Sequence, residues 1–390
     1  MHKIGILNFT QTDKSGGGFH YIMSILEGLK NDDSFEVYLF YDDEKFAQFF
    51  QGISNFRLIY IEEKDFIFSN IVRKISNLIG IRSPLLGRYK KMKEFHIDLI
   101  LSFGSLIGFH LNIPFISFIG DVMYRYFPEL DEYSFQERFK RNLANKNLLK
   151  NSVKTVVDSV QSAKDLNKFF KTPIEKLVPI PLCAPPHIYK YKNMESAEVE
   201  YISKKYNLPS EYIIYPAQFW SHKNHIRLIK ALFQLKTKKN LIVPAVFVGA
   251  NWDSYNDVVQ LITDLKMEDQ IFCLGYLPEK EVVALYKKSI ALVFASFAEY
   301  TNLPVVEAMV LGVPILCANT FSMPQQVGNA AILFDPFNIN DIAEKILLIW
   351  SQSDLREQLI SNGKIRACEL SDKNFTNRWK ELISITIKNK

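Results

Sequence analysis

The most informative stretch of the sequence is Phe294-Ala-Ser-Phe-Ala-Glu299-Tyr-Thr-Asn-Leu-Pro304-Val-Val-Glu307-Ala-Met-Val-Leu-Gly312-Val-Pro314-Ile-Leu316. An apolar run that ends near Ala295 predicts a buried strand, and a loop that carries Glu299 follows it. Proline is tolerated in the first turn of a helix, so Pro304 predicts where a helix begins, and Gly312 predicts where it ends. A second apolar run follows at once. The stretch therefore predicts a strand–helix–strand unit of an α/β protein.

Short apolar runs alternate with amphipathic stretches along the whole chain. Runs of this kind, with little polar alternation, are typical of strands buried on both faces of a parallel sheet. The proline-rich residues 179–193 are predicted to form neither a helix nor a central strand, and they separate two such series. The predicted strands are 3–9, 35–41, 56–61, 98–103, 114–119, 154–158 and 177–180 in the first series, and 211–216, 242–248, 270–274, 290–295, 313–317 and 331–334 in the second.

This alternation predicts a doubly wound α/β fold with two Rossmann-like domains. The length of 390 residues exceeds one ordinary core and suits two domains of fewer than about 200 residues each. Residues 1–185 are predicted to form the first domain and residues 186–372 the second. Because ligands of such sheets bind beyond the carboxyl ends of the strands, we expect the chemistry in the following loops. Helices are predicted at 19–30, 66–79, 133–150, 353–368 and 373–388.

The composition is typical of a globular protein. The net charge of +5 is too small to indicate a nucleic-acid partner. Four dispersed cysteines without a Cys-x-x-Cys pair are expected to be buried, reduced side chains, with a disulfide framework or a zinc site as the alternative. No signal-peptide pattern precedes the first predicted strand, and no apolar run is long enough to span a membrane, so we expect a cytoplasmic location.

Two carboxylates flank the predicted helix start at Pro304. Such a helix start presents free N–H groups and partial positive charge, which suit a phosphate. Glu307, as an ionised acceptor, can hold a diol such as a ribose through two hydrogen bonds. Glu299 can bind sugar hydroxyls on the other side of that phosphate. The alternative is that both carboxylates are only favourable charges near a helix start.

The whole stretch resembles the signature of retaining glycosyltransferase family 4, also called glycosyl transferases group 1. That signature has a Glu, seven residues, a second Glu, then Ala-Met, Gly and Pro before a strand. The resemblance implies the GT-B fold of two facing Rossmann-like domains, a donor-sugar contact for Glu299 and a ribose contact for Glu307. It also implies that the C-terminal helix, residues 373–390, crosses back to the first domain. Thr301-Asn302 replaces the commoner Gly-Phe-Gly loop, which leaves the sugar open. The amides near Asn302 and Leu303 are still expected to meet a phosphate.

A second stretch, Tyr215-Pro-Ala-Gln218-Phe-Trp-Ser-His-Lys223, follows the first strand of the second series. In the family, an Arg and a Lys five residues apart neutralise the donor diphosphate. Lys223 matches the lysine, whereas Gln218 stands where the arginine is usual. Either another cation, with Arg227 and the neighbouring His222 or His225 as weak candidates, replaces the arginine, or the activity is modest.

Two glycine-containing loops are weaker matches to the family. The loop Ser15-Gly16-Gly17-Gly18 corresponds to a glycine-rich loop that lies over the donor phosphates, so Gly17 and Gly18 are predicted to contact the donor. Leu274-Gly-Tyr276-Leu277 corresponds to the loop that offers backbone groups to the nucleotide base. Simple turns common to many α/β proteins are the alternative for both.

Asp121 is the candidate catalytic residue of the first domain. Many relatives have a His-Asp or an Asp-x-x-His at this place, near the acceptor and the reacting carbon. Asp121 matches the aspartate, whereas Gly120 and Tyr124 stand where a histidine is expected. A loop aspartate that caps a helix is the alternative.

Residues 66–93 contain seven basic residues and no acidic residue. Apolar side chains recur among them at helical spacing, and such a basic amphipathic stretch can rest on anionic lipid. The segment therefore predicts peripheral contact with the inner face of the membrane. A solvated face of a packed helix is the alternative, and no nucleic-acid motif accompanies the charge.

Taken with the resemblance, these features predict a retaining glycosyltransferase that moves a sugar from a UDP- or GDP-sugar to a glycan or a lipid-linked glycan in cell-surface polysaccharide synthesis. No Asp-x-Asp occurs, so we expect neither a metal nor a cofactor besides the nucleotide-sugar. Two alternatives stay open. One is another enzyme of the same architecture, such as a sugar-nucleotide epimerase. The other is a catalytically silent nucleotide- or glycan-binding protein, which the departures at Gln218 and Gly120 leave open.

Overall fold

A computed structural model of the protein describes residues 1–8, 17–41, 48–60, 92–103 and 107–388. The chain forms two compact units. Unit 1 comprises Met1–Val122, Phe135–Pro181 and Lys373–Lys390, and unit 2 comprises Met123–Ser134 and Leu182–Asp372. The division at Pro181 falls in the proline-rich stretch that contains the predicted boundary between 185 and 186. Nothing in the sequence indicated that residues 123–134 belong with unit 2.

Unit 1 contains a parallel sheet of seven described strands in the order β3-β2-β1-β4-β5-β6-β7. Six of the seven residues of β2 are buried, as expected for a strand covered on both faces. Every predicted strand of the first series is present, with ends that differ by a few residues. The strands are β1 (His2–Asn8), β2 (Phe35–Tyr41), β3 (Phe56–Tyr60), β4 (Leu99–Phe103), β5 (Phe115–Phe118), β6 (Lys154–Val157) and β7 (Leu177–Pro179).

Unit 2 contains a second parallel sheet, in the order β10-β9-β8-β11-β12-β13. The predicted strands of the second series are also present. All residues of β9, β11 and β12 are buried, so this sheet forms the centre of the core of unit 2. The α/β class and the parallel Rossmann-like sheets predicted from the sequence are therefore confirmed. The strands are β8 (Ile213–Pro216), β9 (Ala245–Val248), β10 (Ile271–Cys273), β11 (Ala291–Phe294), β12 (Ile315–Ala318) and β13 (Ala331–Phe334).

Helices connect the strands of both sheets. One lies at 186–191, inside the stretch for which no helix was predicted. That prediction was wrong because Pro186 occupies the first turn, where its missing N–H removes no hydrogen bond. The helices are α1 (Gly17–Leu29), α2 (Ile107–Leu111), α3 (Phe135–Asn151), α4 (Val160–Phe170), α5 (Pro186–Tyr191), α6 (Ser196–Lys205), α7 (His225–Lys239), α8 (Tyr255–Asp264), α9 (Glu279–Lys288), α10 (Leu303–Leu311), α11 (Met323–Val327), α12 (Ile339–Ser351), α13 (Ser353–Glu369) and α14 (Asp372–Lys388).

Two predictions from the sequence concern residues that are described only in part. Gly17 and Gly18 begin helix α1 instead of lying in a loop, and Ser15-Gly16 fall outside the described residues. Of the basic segment 66–93, residues 66–91 also fall outside the described residues. No helix in the described part of the chain is long and apolar enough to cross a membrane.

The last helix packs within unit 1 through its apolar stripe. Phe375 and Trp379 are buried, and their rings lie 5.5 Å and 6.3 Å from the ring of Tyr21 on α1. Lys380 Nζ lies 2.6 Å from a carboxylate oxygen of Asp32. Helix α14 therefore returns to the N-terminal part of the chain and contributes to the core there.

The contact between α1 and α14 leaves no room for a side chain at Gly28. A Cβ at this position would lie 2.3 Å from Thr376 Oγ1 and 2.8 Å from Cγ2. Because the strain exceeds the gain in helix propensity, we expect Gly28→Ala to destabilise the protein by about 1–3 kcal/mol. Adding Thr376→Ala should recover part of the loss. Urea unfolding measures both effects.

Gly120→Ala is the control for this prediction, because a Cβ there would meet its nearest atom at 3.5 Å, an ordinary contact. If Gly28→Ala proved as stable as the control, the close packing of α14 on α1 would be contradicted.

Candidate functional site

The strand order of unit 2 reverses between two neighbouring strands. β8 pairs with β9 on one side and with β11 on the other, although β11 comes much later in the chain. Ligands of doubly wound sheets bind at such a reversal, beyond the carboxyl ends of the strands. Lys223 lies in the loop after β8, and Glu299 lies in the loop after β11. The topology thus brings these two predicted site residues to the place where a ligand is expected.

Lys223 and Glu299 form an ion pair at this reversal. Lys223 Nζ donates a hydrogen bond to Glu299 Oε1, and only 14% and 22% of the two side chains are exposed. Glu299 Oε2 is buried without a hydrogen-bond partner among the described residues. A buried carboxylate oxygen without a partner is energetically unfavourable. This oxygen is therefore suited to accept a hydrogen bond from a ligand hydroxyl.

Backbone contacts fix the loop that carries Lys223. Residues Ser221–Lys223 form one turn of 3-10 helix, and Tyr215 Oη donates to the Lys223 carbonyl at 2.6 Å. The Phe297 N–H donates to the His222 carbonyl at 3.1 Å, which joins this loop to the loop of Glu299. The next residue, Asn224, has left-handed backbone (φ 65°) and is the N-cap of helix α7. The ion pair therefore lies on two loops that are bonded to each other.

Neither Arg227 nor His225 replaces the cation missing at position 218. Arg227 Nη1 donates to Asn224 Oδ1 at 2.9 Å, and its guanidinium lies 5.2 Å from the ring of Phe337. His225 is buried, and burial, with smaller contributions from the charges of Lys223 and His222, lowers its pKa to about 3. It is therefore neutral at physiological pH. Of the three candidates named from the sequence, His222 remains.

His222 is held by a residue that the sequence did not indicate. Its Nδ1 lies 2.6 Å from Glu132 Oε1, and both side chains are about nine-tenths buried. Glu132 belongs to the segment Met123–Ser134 of unit 2. The pair joins residues 90 positions apart, and no periodic pattern in the sequence reports such a contact.

Gln218 is oriented by two aromatic side chains. Its Oε1 accepts a hydrogen bond from Trp220 Nε1 at 3.0 Å, and Trp220 stacks on Trp252 at a centroid distance of 4.4 Å. Gly249 allows the loop after β9 to approach, since a Cβ there would lie 2.3 Å from the Ala217 carbonyl oxygen. Gln218 is thus fixed as an uncharged hydrogen-bonding group on the same loop as Lys223.

At the start of helix α10, the amide of Asn302 is already hydrogen-bonded within the protein. The Asn302 N–H donates to Gln326 Oε1 at 2.9 Å, and Gln326 Nε2 donates to the Asn302 carbonyl at 2.8 Å. The expectation that the Asn302 amide meets a phosphate is corrected, because Gln326 already occupies that donor. Helix α10 begins at Leu303 and ends at Gly312, which has the left-handed backbone (φ 70°) predicted from its position.

Glu307 lies inside helix α10 and is 8% exposed. Tyr286 Oη on α9 donates to Glu307 Oε2 at 3.0 Å, and Oε1 has no hydrogen-bond partner in the described part of the chain. Burial raises the pKa of Glu307 to about 7, against the opposing effect of the Tyr286 hydrogen bond. The carboxylate therefore keeps one oxygen for a ligand and titrates near neutral pH.

The other predicted site residues lie at loop and helix ends of both units. In unit 2, Tyr276 is exposed and Leu277 is buried, after the turn at Gly275 (φ 68°). In unit 1, Asp121 is exposed after β5, and Gly17 and Gly18 are exposed at the start of α1. Tyr286, Gln326 and Glu132 are the contacting residues that sequence reasoning missed.

The raised pKa of Glu307 predicts how stability depends on pH. Because the folded protein holds this proton more tightly than the unfolded chain, the contribution to stability is complete below about pH 4.5 and is lost as the pH rises through about 7. At pH 8 the ionised carboxylate lowers stability by up to roughly 3 kcal/mol. Glu307→Gln, which is never charged, should therefore raise the melting temperature at pH 8 more than at pH 5.

Thermal unfolding at both pH values measures this effect. Glu268→Gln, at an exposed position, is the matched control. A difference between Glu307→Gln and wild type that is the same at both pH values would contradict the prediction.

The sequence of the chain is similar to sequences of known glycosyltransferases. The family model described as glycosyl transferases group 1 matches residues 199–366, which include Gln218, Lys223, Glu299 and Glu307. The chain is 29% identical to O-antigen chain mannosyltransferase B of Escherichia coli over 221 residues. The match covers 56% of this chain and 56% of that protein, so it spans little more than half of the curated relative.

Solved structures resemble the whole chain in fold. Sucrose-phosphate synthase of Thermosynechococcus elongatus has a TM-score of 0.77 at 16% identity and covers 100% of both chains. HepE of Anabaena, solved in complex with UDP-glucose, has a TM-score of 0.75 at 17% identity and covers 98% of this chain and 100% of its own. At these identities the likeness concerns the fold. The resemblance seen in the sequence is confirmed: the chain has the GT-B fold, and its residues 199–366 belong to the glycosyl transferases group 1 family.

Proposed function

We propose that the protein is a retaining glycosyltransferase that moves a sugar from a UDP- or GDP-sugar to a glycan or lipid-linked glycan in cell-surface polysaccharide synthesis. The observation that carries the proposal is the Lys223–Glu299 pair at the strand reversal, with one buried Glu299 oxygen that lacks a partner. The name of the Escherichia coli relative, an O-antigen chain mannosyltransferase, favours mannose as the sugar. HepE, solved with UDP-glucose, supports a nucleotide-sugar as the donor.

The donor is bound through a change of partner at Lys223. The diphosphate, with more charge than a carboxylate, draws Lys223 Nζ from Glu299 and receives further hydrogen bonds from the first-turn amides of α10 and from Gln218. Both oxygens of Glu299 then accept from hydroxyls of the donor sugar. Glu307 accepts from the ribose through Oε1. Tyr276 and Leu277 face the base, and Gly17 and Gly18 are the proposed donor contacts of unit 1.

The reaction breaks the bond between the anomeric carbon and the phosphate oxygen. A hydroxyl of the acceptor forms the new bond on the face that the leaving group vacates, so the configuration is retained. The hydroxyl proton passes to the departing phosphate oxygen, which yields a nucleoside diphosphate and the new glycoside. Lys223 stabilises the negative charge on that leaving group without a metal, and Asp121 is the proposed catalytic residue of unit 1.

The acceptor determines where the protein acts. A lipid-linked acceptor places the reaction at the inner face of the membrane. The seven basic residues within 66–93 then provide a peripheral contact with anionic lipid on the cytoplasmic side.

A thermal-shift screen against UDP, GDP, UDP-glucose and GDP-mannose tests donor binding, because a bound ligand raises the apparent stability. We expect one base to be preferred. Incubation with acceptor glycans and assignment of the product anomer by NMR then test transfer and retention. An altered donor sugar without acceptor would identify an epimerase instead. Tight binding without turnover would identify a silent binding protein, and no binding at all would refute the proposal.

Substitutions at the ion pair test the assigned roles. Lys223→Ala removes the cation at the leaving group, so we expect kcat to fall by about 100- to 1000-fold. Glu299→Gln keeps the shape but weakens the grip on the sugar, and it should lower kcat/KM for the intact donor far more than it weakens binding of the free nucleoside diphosphate.

Lys230→Ala and Glu268→Gln, at exposed positions of the same unit, are the matched controls. If Glu299→Gln weakened the free nucleoside diphosphate as much as the nucleotide-sugar, its assignment to the sugar would be wrong.

A further inference from the structure

The segment Met123–Ser134 belongs to unit 2, whose other residues are Leu182–Asp372. Aromatic side chains hold it there. The ring of Phe127 lies 5.3 Å from that of Phe297 and 6.1 Å from that of Phe321. Phe297 stands two residues before Glu299 in the same loop. The segment therefore packs on the loop that carries one member of the ion pair.

Phe321 links the segment Met123–Ser134 to the loop of Glu299, and its own backbone is fixed by this packing. Its backbone has a positive φ of 44°, a conformation that is rare for a bulky residue and persists where the surroundings dictate it. Its ring lies 5.1 Å from Tyr126 and 5.5 Å from Tyr300, so it joins the segment to the residue next to Glu299.

Glu132, near the end of the segment, reaches the other loop of the site. It pairs with His222 at 2.6 Å, and His222 directly precedes Lys223. The His222 carbonyl accepts hydrogen bonds from the Phe297 N–H at 3.1 Å and from Ser296 Oγ at 3.2 Å. His222 thus has its side chain bonded to the segment and its backbone carbonyl bonded to the loop of Glu299.

The remaining hydrogen bonds of the turn Ser221–Lys223 come from Leu182–Asp372. Asp253 accepts from the amide and the hydroxyl of Ser221, each at 3.0 Å, and Tyr215 donates to the Lys223 carbonyl. These contacts fix the two ends of the turn. Glu132 holds its middle residue by the side chain, from outside that stretch of chain.

We propose that Glu132 is a positioning residue of the donor site: through His222 it fixes the turn that places Lys223 Nζ for the donor diphosphate. The part that concerns the diphosphate rests on the proposed function. A carboxylate bonded to Nδ1–H fixes both the tautomer and the orientation of an imidazole. Its removal leaves a buried ring nitrogen unpaired, and a small displacement of a catalytic group lowers the rate greatly.

The variants that test this are Glu132→Ala, which removes the acceptor, and Glu132→Gln, which keeps an acceptor oxygen of the same reach. Glu129→Ala, at an exposed position of the same segment, is the matched control. In protein without nucleotide, hydrogen exchange at the Phe297 amide reports whether its bond to the His222 carbonyl is held. We expect about tenfold faster exchange in Glu132→Ala, with Glu132→Gln and the control close to wild type.

With donor present, Glu132→Ala should lower kcat/KM about tenfold or more, and Glu132→Gln should restore most of it. Because the effect passes through His222, the double variant Glu132→Ala/His222→Ala should be no worse than the more impaired single variant. Unchanged exchange at Phe297, losses that add in the double variant, or a loss of melting temperature with unchanged kcat/KM would each overturn the proposal.

The two proposals fail in different ways. If the wild-type protein binds no nucleotide-sugar, the proposed function fails, and with it the donor role of Glu132. Wild-type donor binding together with unchanged exchange and kinetics in Glu132→Ala refutes the positioning role alone.

Discussion

Lys223 and Glu299 are 76 positions apart in the sequence, and they meet because the strand order of unit 2 reverses between β8 and β11. The reversal makes neighbours of two strands whose loops would otherwise have no reason to touch. It also explains why the bond between Phe297 and the His222 carbonyl exists, since the two loops leave adjacent strands. The ion pair is therefore a consequence of the sheet order.

The same site contains several groups in unfavourable environments. Glu307 is buried with a pKa of about 7, Glu299 has a buried oxygen without a described partner, and Phe321 has left-handed backbone. At each of these positions, a residue without the buried charge or the strained backbone would give a more stable fold. Unfavourable environments of this kind concentrate where a protein binds or reacts, because a group that is to bind a ligand cannot also be fully hydrogen-bonded within the fold.

The sequence predicted the strands well and the side-chain contacts poorly, for a physical reason. Strands buried on both faces require continuous apolar runs, and the end of α10 requires a glycine for its left-handed turn, so Gly312 could be recognised. The pairing of Gln326 with Asn302 and of Tyr286 with Glu307 depends on tertiary geometry, which leaves no periodic signal. The helix at Pro186 was missed because proline was read only as a helix breaker, although it is tolerated in a first turn.

The resemblance seen in the sequence implies an arginine where this chain has Gln218, and this difference changes how much depends on Lys223. Gln218 carries no charge, and His225 is neutral because burial lowers its pKa to about 3. Arg227 is held by Asn224, and His222 is already paired with the carboxylate of Glu132. Lys223 then neutralises more of the charge of a diphosphate. Because the attraction between its ammonium group and the phosphate oxygens weakens with distance, the position of that group has to be fixed closely. A side-chain anchor on the turn of Lys223 is therefore of more use here than in a site with two cations, and Glu132 supplies it through His222.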